Sequence, residues 1–176
     1  MRRVRYVVAM SLDGYIAGRN GEADWIIMDP EIDFQALFEQ FDTFLMGRRT
    51  FEGMGGAGGS GQPGVQTIVF SRTMRQQDYP NLTIVSENPQ QALAELRAKP
   101  GKDIWLFGGG SLFRSVLEAR LVDAVEVAVI PVLLGEGISM LPPKPSSEHF
   151  KLKLTSSRTY KTGIVSLEYA VEYEPA

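Results

Sequence analysis

Hydrophobic positions fall first into short apolar runs that alternate with helical stripes. Residues 4–10 form a β-branched run of strand length, closed by the turn-forming Ser11-Leu12-Asp13-Gly14. From residue 30 to 41 the pattern becomes helical. Phe34, Leu37, Phe38 and Phe41 recur at i, i+3, i+4 and i+7, with Asp29 placed as a cap and Pro30 at the first position. Residues 43–46 are a short apolar strand running into Gly47-Arg48-Arg49-Thr50. Residues 66–70 and 82–86 read as further strands. A helix opens at Asn88-Pro89 and stops near Lys99, ahead of Pro100-Gly101. Residues 103–107 form a fifth strand, followed by Gly108-Gly109-Gly110 and a helix carrying Leu112, Phe113, Val116 and Leu117.

The tail has a different rhythm. Residues 122–133, 150–160 and 164–172 read as three longer strands with no helix between them, the last two joined by Lys161-Thr162-Gly163. Alternation followed by a strand-only finish predicts an α/β protein: a three-layer α/β/α arrangement around a mixed, mainly parallel sheet of about eight strands with an antiparallel C-terminal edge. No internal boundary interrupts the pattern, so residues 1–176 are expected to form one domain. The seven glycines between residues 53 and 64 predict a mobile loop.

Composition narrows the chemistry. The chain lacks cysteine and has one histidine, His149, which argues against disulfides, thiol catalysis and a zinc site. Net charge is −3 with the charges mixed along the chain. No basic stripe is present to suit nucleic acid, and no apolar run is long enough for a membrane helix. No signal-peptide pattern opens the chain, and a cytoplasmic protein acting on a small molecule is expected. The absence of G-x-S-x-G and of a P-loop pattern removes the common hydrolase and kinase readings.

Three strand ends carry anion chemistry. Gly108-Gly109-Gly110 follows a strand and opens a helix, where free backbone N–H groups and the helix dipole favour a phosphate; the competing reading is a tight turn needing positive φ. Gly47-Arg48-Arg49-Thr50 suits a pyrophosphate or ribose phosphate, or else is a solvated basic turn. Ser71-Arg72-Thr73 repeats the pattern after the third strand. Ligands of open α/β sheets bind at the carboxyl ends of strands, so the three together favour a nucleotide with several phosphates. A G-x-G-x-x-G match within residues 53–61 follows no strand and opens no helix, and reads as loop. Glu22, Asp24, Asp29, Glu31 and Asp33 make the segment before the first helix acidic. Capping explains much of this, and one carboxylate near Trp25 in an apolar cleft would suit a proton donor.

Taken in order, residues 8–17 (VAMSLDGYIA), 46–52 (MGRRTFE), 69–73 (VFSRT) and 106–112 (LFGGGSL) resemble the dihydrofolate-reductase-like superfamily. The Ser-Leu-Asp-Gly-Tyr-Ile-Ala form, with the later Pro131-Val132-Leu133-Leu134-Gly135-Glu136-Gly137, is similar to the C-terminal reductase domain of riboflavin-biosynthesis enzymes, here standing alone. The resemblance implies an NADPH-dependent reductase that passes a hydride to a C=N or C=O bond of a small pterin- or pyrimidine-like substrate. It implies Ala9 and Ile16 at the nicotinamide end, and Gly47, Arg48, Arg49 and Thr50 at the phosphates. Ser71 and Arg72 would stand near a 2′-phosphate, with Gly108, Gly109, Gly110, Ser111 and Leu112 over the pyrophosphate. Candidate proton donors are Glu31, Asp33 and Asp24. A homodimer is implied by analogy. A non-catalytic NADP-binding protein and a true dihydrofolate reductase are the alternatives.

Overall fold

The computed structural model describes residues 1–56, 64–144 and 149–174. Alternating side chains send β1 (Val4–Ser11) through the centre of an eight-stranded sheet, with residues on both of its faces buried or half-buried. The other members are β3 (Phe41–Gly47), β4 (Gln66–Phe70), β5 (Thr83–Val85), β6 (Asp103–Gly108), β7 (Ala124–Ile130), β9 (Lys151–Thr159) and β10 (Val165–Glu172). Their order is β5-β4-β3-β6-β1-β7-β10-β9. The five pairings from β5 to β7 are parallel, and β7–β10 and β10–β9 are antiparallel. The mixed sheet with its antiparallel C-terminal edge is the one the periodicity predicts.

Helices cover both faces. On one face α3 (Pro89–Ala98) and α4 (Gly110–Glu118) bury Leu93, Leu96, Phe113, Val116 and Leu117 against Val4, Tyr6, Leu45, Ile68 and Leu106. Tyr6 and Phe113 stack there with ring centroids 3.9 Å apart. On the other face α1 (Phe34–Phe38) and α2 (Arg48–Gly53) bring Leu37, Phe38 and Phe51 onto Phe44, Met46 and Trp105. Aromatic and aliphatic side chains share that layer, which covers β3, β4 and β6.

Several boundaries differ from the pattern. The expected helix over residues 30–41 is only α1, and its N-cap is Asp33, whose Oδ1 accepts from the Ala36 amide at 2.9 Å. Asp29 is instead buried, because tertiary partners outcompete capping. It accepts from the Glu31 amide at 2.8 Å and from the Thr162 hydroxyl at 2.7 Å. Phe41, the last residue of the helical stripe, opens β3. The strand expected over residues 122–133 stops at Ile130, before Pro131, which has no N–H for the ladder. A two-stranded sheet absent from the sequence reading joins β2 (Tyr15–Ala17) to β8 (Ile138–Ser139). Strands this short carry too little periodicity to see. The Lys161-Thr162-Gly163 turn forms as expected, with Gly163 at φ +89° and the Tyr160 amide donating to the Ile164 carbonyl. Of the glycine-rich loop expected over residues 53–64, Gly53 instead ends α2, and residues 57–63 lie outside the described residues. Among the described residues no helix is long and apolar enough to cross a membrane.

Candidate active site

Because β1, β3, β4 and β6 are parallel, their carboxyl ends share one edge of the sheet. Met46 lies in register with Gly108, and Gly47 with Phe70. The starts of α2 and α4 and the Ser71 turn therefore stand side by side. Gly109 is the N-cap of α4, no side chain bonds its first amides, and the 108–109 peptide is cis. Amide groups left free at a helix start suit an anion.

The glycines at this edge separate by cause. Gly108 sits at φ +108°, which the backbone itself requires. At Gly110 a Cβ would lie 2.5 Å from the Ser139 carbonyl oxygen and 3.0 Å from that of Met140, so β8 and the residue after it exclude any side chain. Gly109 and Gly47 have ordinary φ of −76° and −82°. A Cβ at Gly109 would meet only Thr50 Oγ1, at 3.6 Å, and one at Gly47 nothing closer than 3.9 Å. At these two positions no positive φ and no non-neighbouring atom within 3.4 Å of a Cβ demands glycine, although Gly109 also completes the cis peptide. Thr50 Oγ1 is the atom that stands nearest to a Cβ built at Gly109.

Cations flank this edge. Arg48 is held by Glu52 at 3.0 Å, whereas Arg49 and Arg72 are exposed and have no ion-pair partner among the described residues. Ser71 Oγ accepts from the Thr73 and Met74 amides at 3.2 and 3.0 Å and shapes the turn that presents Arg72. Ser111 is exposed at the first turn of α4, and Leu112 packs towards the core. Ile16 lies on β2, which β8 joins to the start of α4.

Next to this edge, a cavity of about 430 Å³ opens over β1, β7 and β10 on the α1 face. Val7, Ala9, Glu126 and Ala128 form its floor, Trp105 one end, and Ile26, Ile27, Phe34 and Leu37 its roof. The roof is strapped to the β9–β10 hairpin by Asp29, bonded to Thr162, and by Glu31, which pairs with Arg158 at 3.0 Å and Lys161 at 3.7 Å. The Thr162 hydroxyl, then the Glu31 amide, hold the Asp29 carboxyl below its ordinary range. A larger cavity, about 650 Å³, lies under α3 on the opposite face and is lined by none of the sequence-predicted site residues.

Of the three candidate proton donors, only Asp33 lines the 430 Å³ cavity. Glu31 faces the hairpin in its ion pairs, and Asp24 is exposed outside the lining. Ala9, which the resemblance puts at the nicotinamide end, is in the floor of this cavity.

Sequence reasoning missed the charged floor. Arg5 donates from Nε and Nη2 to Glu126 at 2.5 and 2.8 Å, and from Nη1 to Gln40 at 2.7 Å and Asp103 at 3.3 Å. Burial disfavours the Arg5 charge, but the hydrogen bonds and charges of Glu126 and Asp103 outweigh it, and the guanidinium titrates above its ordinary value. The available signal was an arginine and a glutamate each set inside an otherwise apolar strand.

Comparisons with known proteins agree with this fold. The model of the RibD C-terminal domain family matches residues 2–166. YyaP, an uncharacterized protein of Bacillus subtilis (strain 168), is 34% identical over 180 residues, covering 96% of this chain and 94% of its own. The crystal structure of a putative riboflavin biosynthesis protein from Shewanella sp. PV-4 superposes with TM-score 0.79 at 27% identity, covering 98% and 100% of the two chains. Dihydrofolate reductase from Enterococcus faecalis, solved with NADP(H), shares the fold at TM-score 0.68 and 22% identity, with 97% of each chain covered. With its dihydrofolate-reductase-like sheet and a family match over nearly its whole length, the chain belongs to the RibD C-terminal domain family.

Proposed function

We propose that this protein is an NADPH-dependent reductase acting on a C=N or C=O bond of a small nitrogen heterocycle. The observation that carries the reading is the junction of two unlike sites along β1. A phosphate-suited sheet edge, with its Gly47 and Gly109, adjoins an apolar cavity whose floor includes Ala9. That combination suits a long ligand with a charged half and a flat half, beside a second flat molecule. The Enterococcus faecalis relative of this fold binds NADP(H), which supports the same ligand here.

NADPH supplies a hydride when bound; the chain supplies position and a proton path. Gly47, Thr50, Gly109 and the first α4 amides would hold the pyrophosphate, and Arg49 would neutralise it. Arg72 would pair with the 2′-phosphate, a reason to prefer NADPH to NADH. The small side chain of Ala9 leaves room for a ring against β1, and Ile26, Leu37 and Trp105 offer that ring apolar contacts. Asp33 uses one oxygen as the α1 cap, and the other is free to deliver a proton directly or through a water.

Incubating the protein with deuterated NADPH and a panel of cyclic imines and pyrimidinones tests this. Deuterium transferred to a ring carbon is expected. NADPH that neither binds nor transfers would refute the reading, and binding without transfer to any acceptor would favour a non-catalytic NADP-binding protein.

A further inference from the structure

The charges around the cavity place a second constraint on the substrate, one that rests on the reductase reading. Glu126 on β7 and Glu168 on β10 are direct cross-strand partners. Such pairs stand roughly 5 Å apart at Cβ on one face of a sheet, where like charges repel. Arg5 compensates Glu126 with two hydrogen bonds. The Glu168 carboxylate is exposed at the cavity rim and has no ion-pair partner among the described residues.

The cations nearby are already committed. Arg5 spends Nε and both Nη groups on Glu126, Gln40 and Asp103. Arg158 donates to Glu31 and lies over the Tyr160 ring at 4.6 Å, and Lys161 shares that carboxylate. Asp29 and Glu31 together match Arg158 and Lys161 in charge. Residues 57–63, 145–148 and 175–176 contain no lysine or arginine that could add to the balance. The unpaired Arg49 and Arg72 stand at the strand ends reserved for the cofactor.

The rows of the floor are also graded. Val7, Ala9, Ala128 and Trp105 make one half apolar, and Ser156, Ser166, Glu168 and Arg158 make the other polar. A flat ring fits the first half, and a hydroxyl- or amine-bearing tail fits the second. A phosphate on that tail would meet Glu168, while Arg158, the cation of the described lining, is already matched in charge by Glu31, and such a like-charge contact is unfavourable.

We propose that this cavity selects an unphosphorylated substrate, neutral or cationic, and that Glu168 is the residue that sets the selection. The test uses uridine and uridine 5′-monophosphate as probes, titrated by calorimetry into the protein with and without saturating NADPH. Uridine is expected to bind at least about tenfold more tightly than its monophosphate, and Glu168→Lys to abolish or reverse that preference. Equal or tighter binding of the monophosphate by the wild type would overturn the proposal. So would an unchanged ratio in Glu168→Lys, or failure of both probes to bind. Loss of NADPH binding is a separate failure, of the reductase reading, and leaves the probe ratio measurable on the free protein.

Discussion

Both carboxylate oxygens of Glu126 accept from one guanidinium, that of Arg5, across the β1–β7 pairing at the floor of the cavity. Both side chains are about nine-tenths buried. Without Arg5 the Glu126 carboxylate stays charged with no ion-pair partner among the described residues, whereas Arg5 keeps Asp103, so Arg5→Met is expected to cost about 3–5 kcal/mol in urea unfolding and Glu126→Ala less. The double variant Arg5→Met with Glu126→Leu should recover most of that loss. An Arg5→Met cost below about 1 kcal/mol would mean that water reaches the pair freely.

Asp33 has two separable duties, as α1 cap and as proton donor. Asparagine caps as well as aspartate, so Asp33→Asn should keep the wild-type melting temperature, whereas Asp33→Ala should lose about 1 kcal/mol. Turnover in Asp33→Asn should fall by roughly a hundredfold or more, in line with loss of an acid–base group. Wild-type turnover in that variant would remove Asp33 from the chemistry.

The neighbouring glycines are expected to behave differently. Gly110→Ala forces a methyl into the Ser139 carbonyl at 2.5 Å and should destabilise the fold by about 1–3 kcal/mol. Gly109→Ala meets no such obstacle and should fold normally while binding NADPH more weakly. Equal stability losses in both variants would show that Gly109, too, serves the protein's own packing.

Acid should loosen the strap over the cavity. The folded-state pKa of Asp29 is lowered, first by the Thr162 hydroxyl and then by the Glu31 amide. Its contribution to stability is therefore present above the unfolded value of about 4 and is lost as pH falls through the lower folded value. Wild-type protein should lose stability with falling pH more steeply in that window than Asp29→Asn. Parallel pH profiles would contradict the role of Asp29 as a titrating anchor.

The succession of the main strands and the places of α3 and α4 were legible because apolar runs and the i, i+3, i+4 stripes of α4 report burial directly. The segment over residues 24–33 was not. Its acidic residues look alike in sequence, yet Asp29 straps a hairpin 133 residues away, Asp33 caps a helix and Glu31 pairs with Arg158. Only tertiary partners distinguish them. The glycine triplet was similarly ambiguous: one motif contains a residue needed for φ, a residue needed for packing and a residue with neither reason. The charged floor was hidden because Arg5 and Glu126 lie 121 residues apart, and each alone reads as an interruption of a strand.

Fluorescence titration with NADPH and NADH, on the wild type and on Arg72→Ala, tests the central claim most directly. The wild type should bind NADPH about tenfold to a hundredfold more tightly than NADH, the worth of one charge-assisted contact to the 2′-phosphate. Arg72→Ala should lose that preference while its NADH affinity stays unchanged. Failure of the wild type to bind either dinucleotide would contradict the assignment of the strand ends and, with it, the reductase reading.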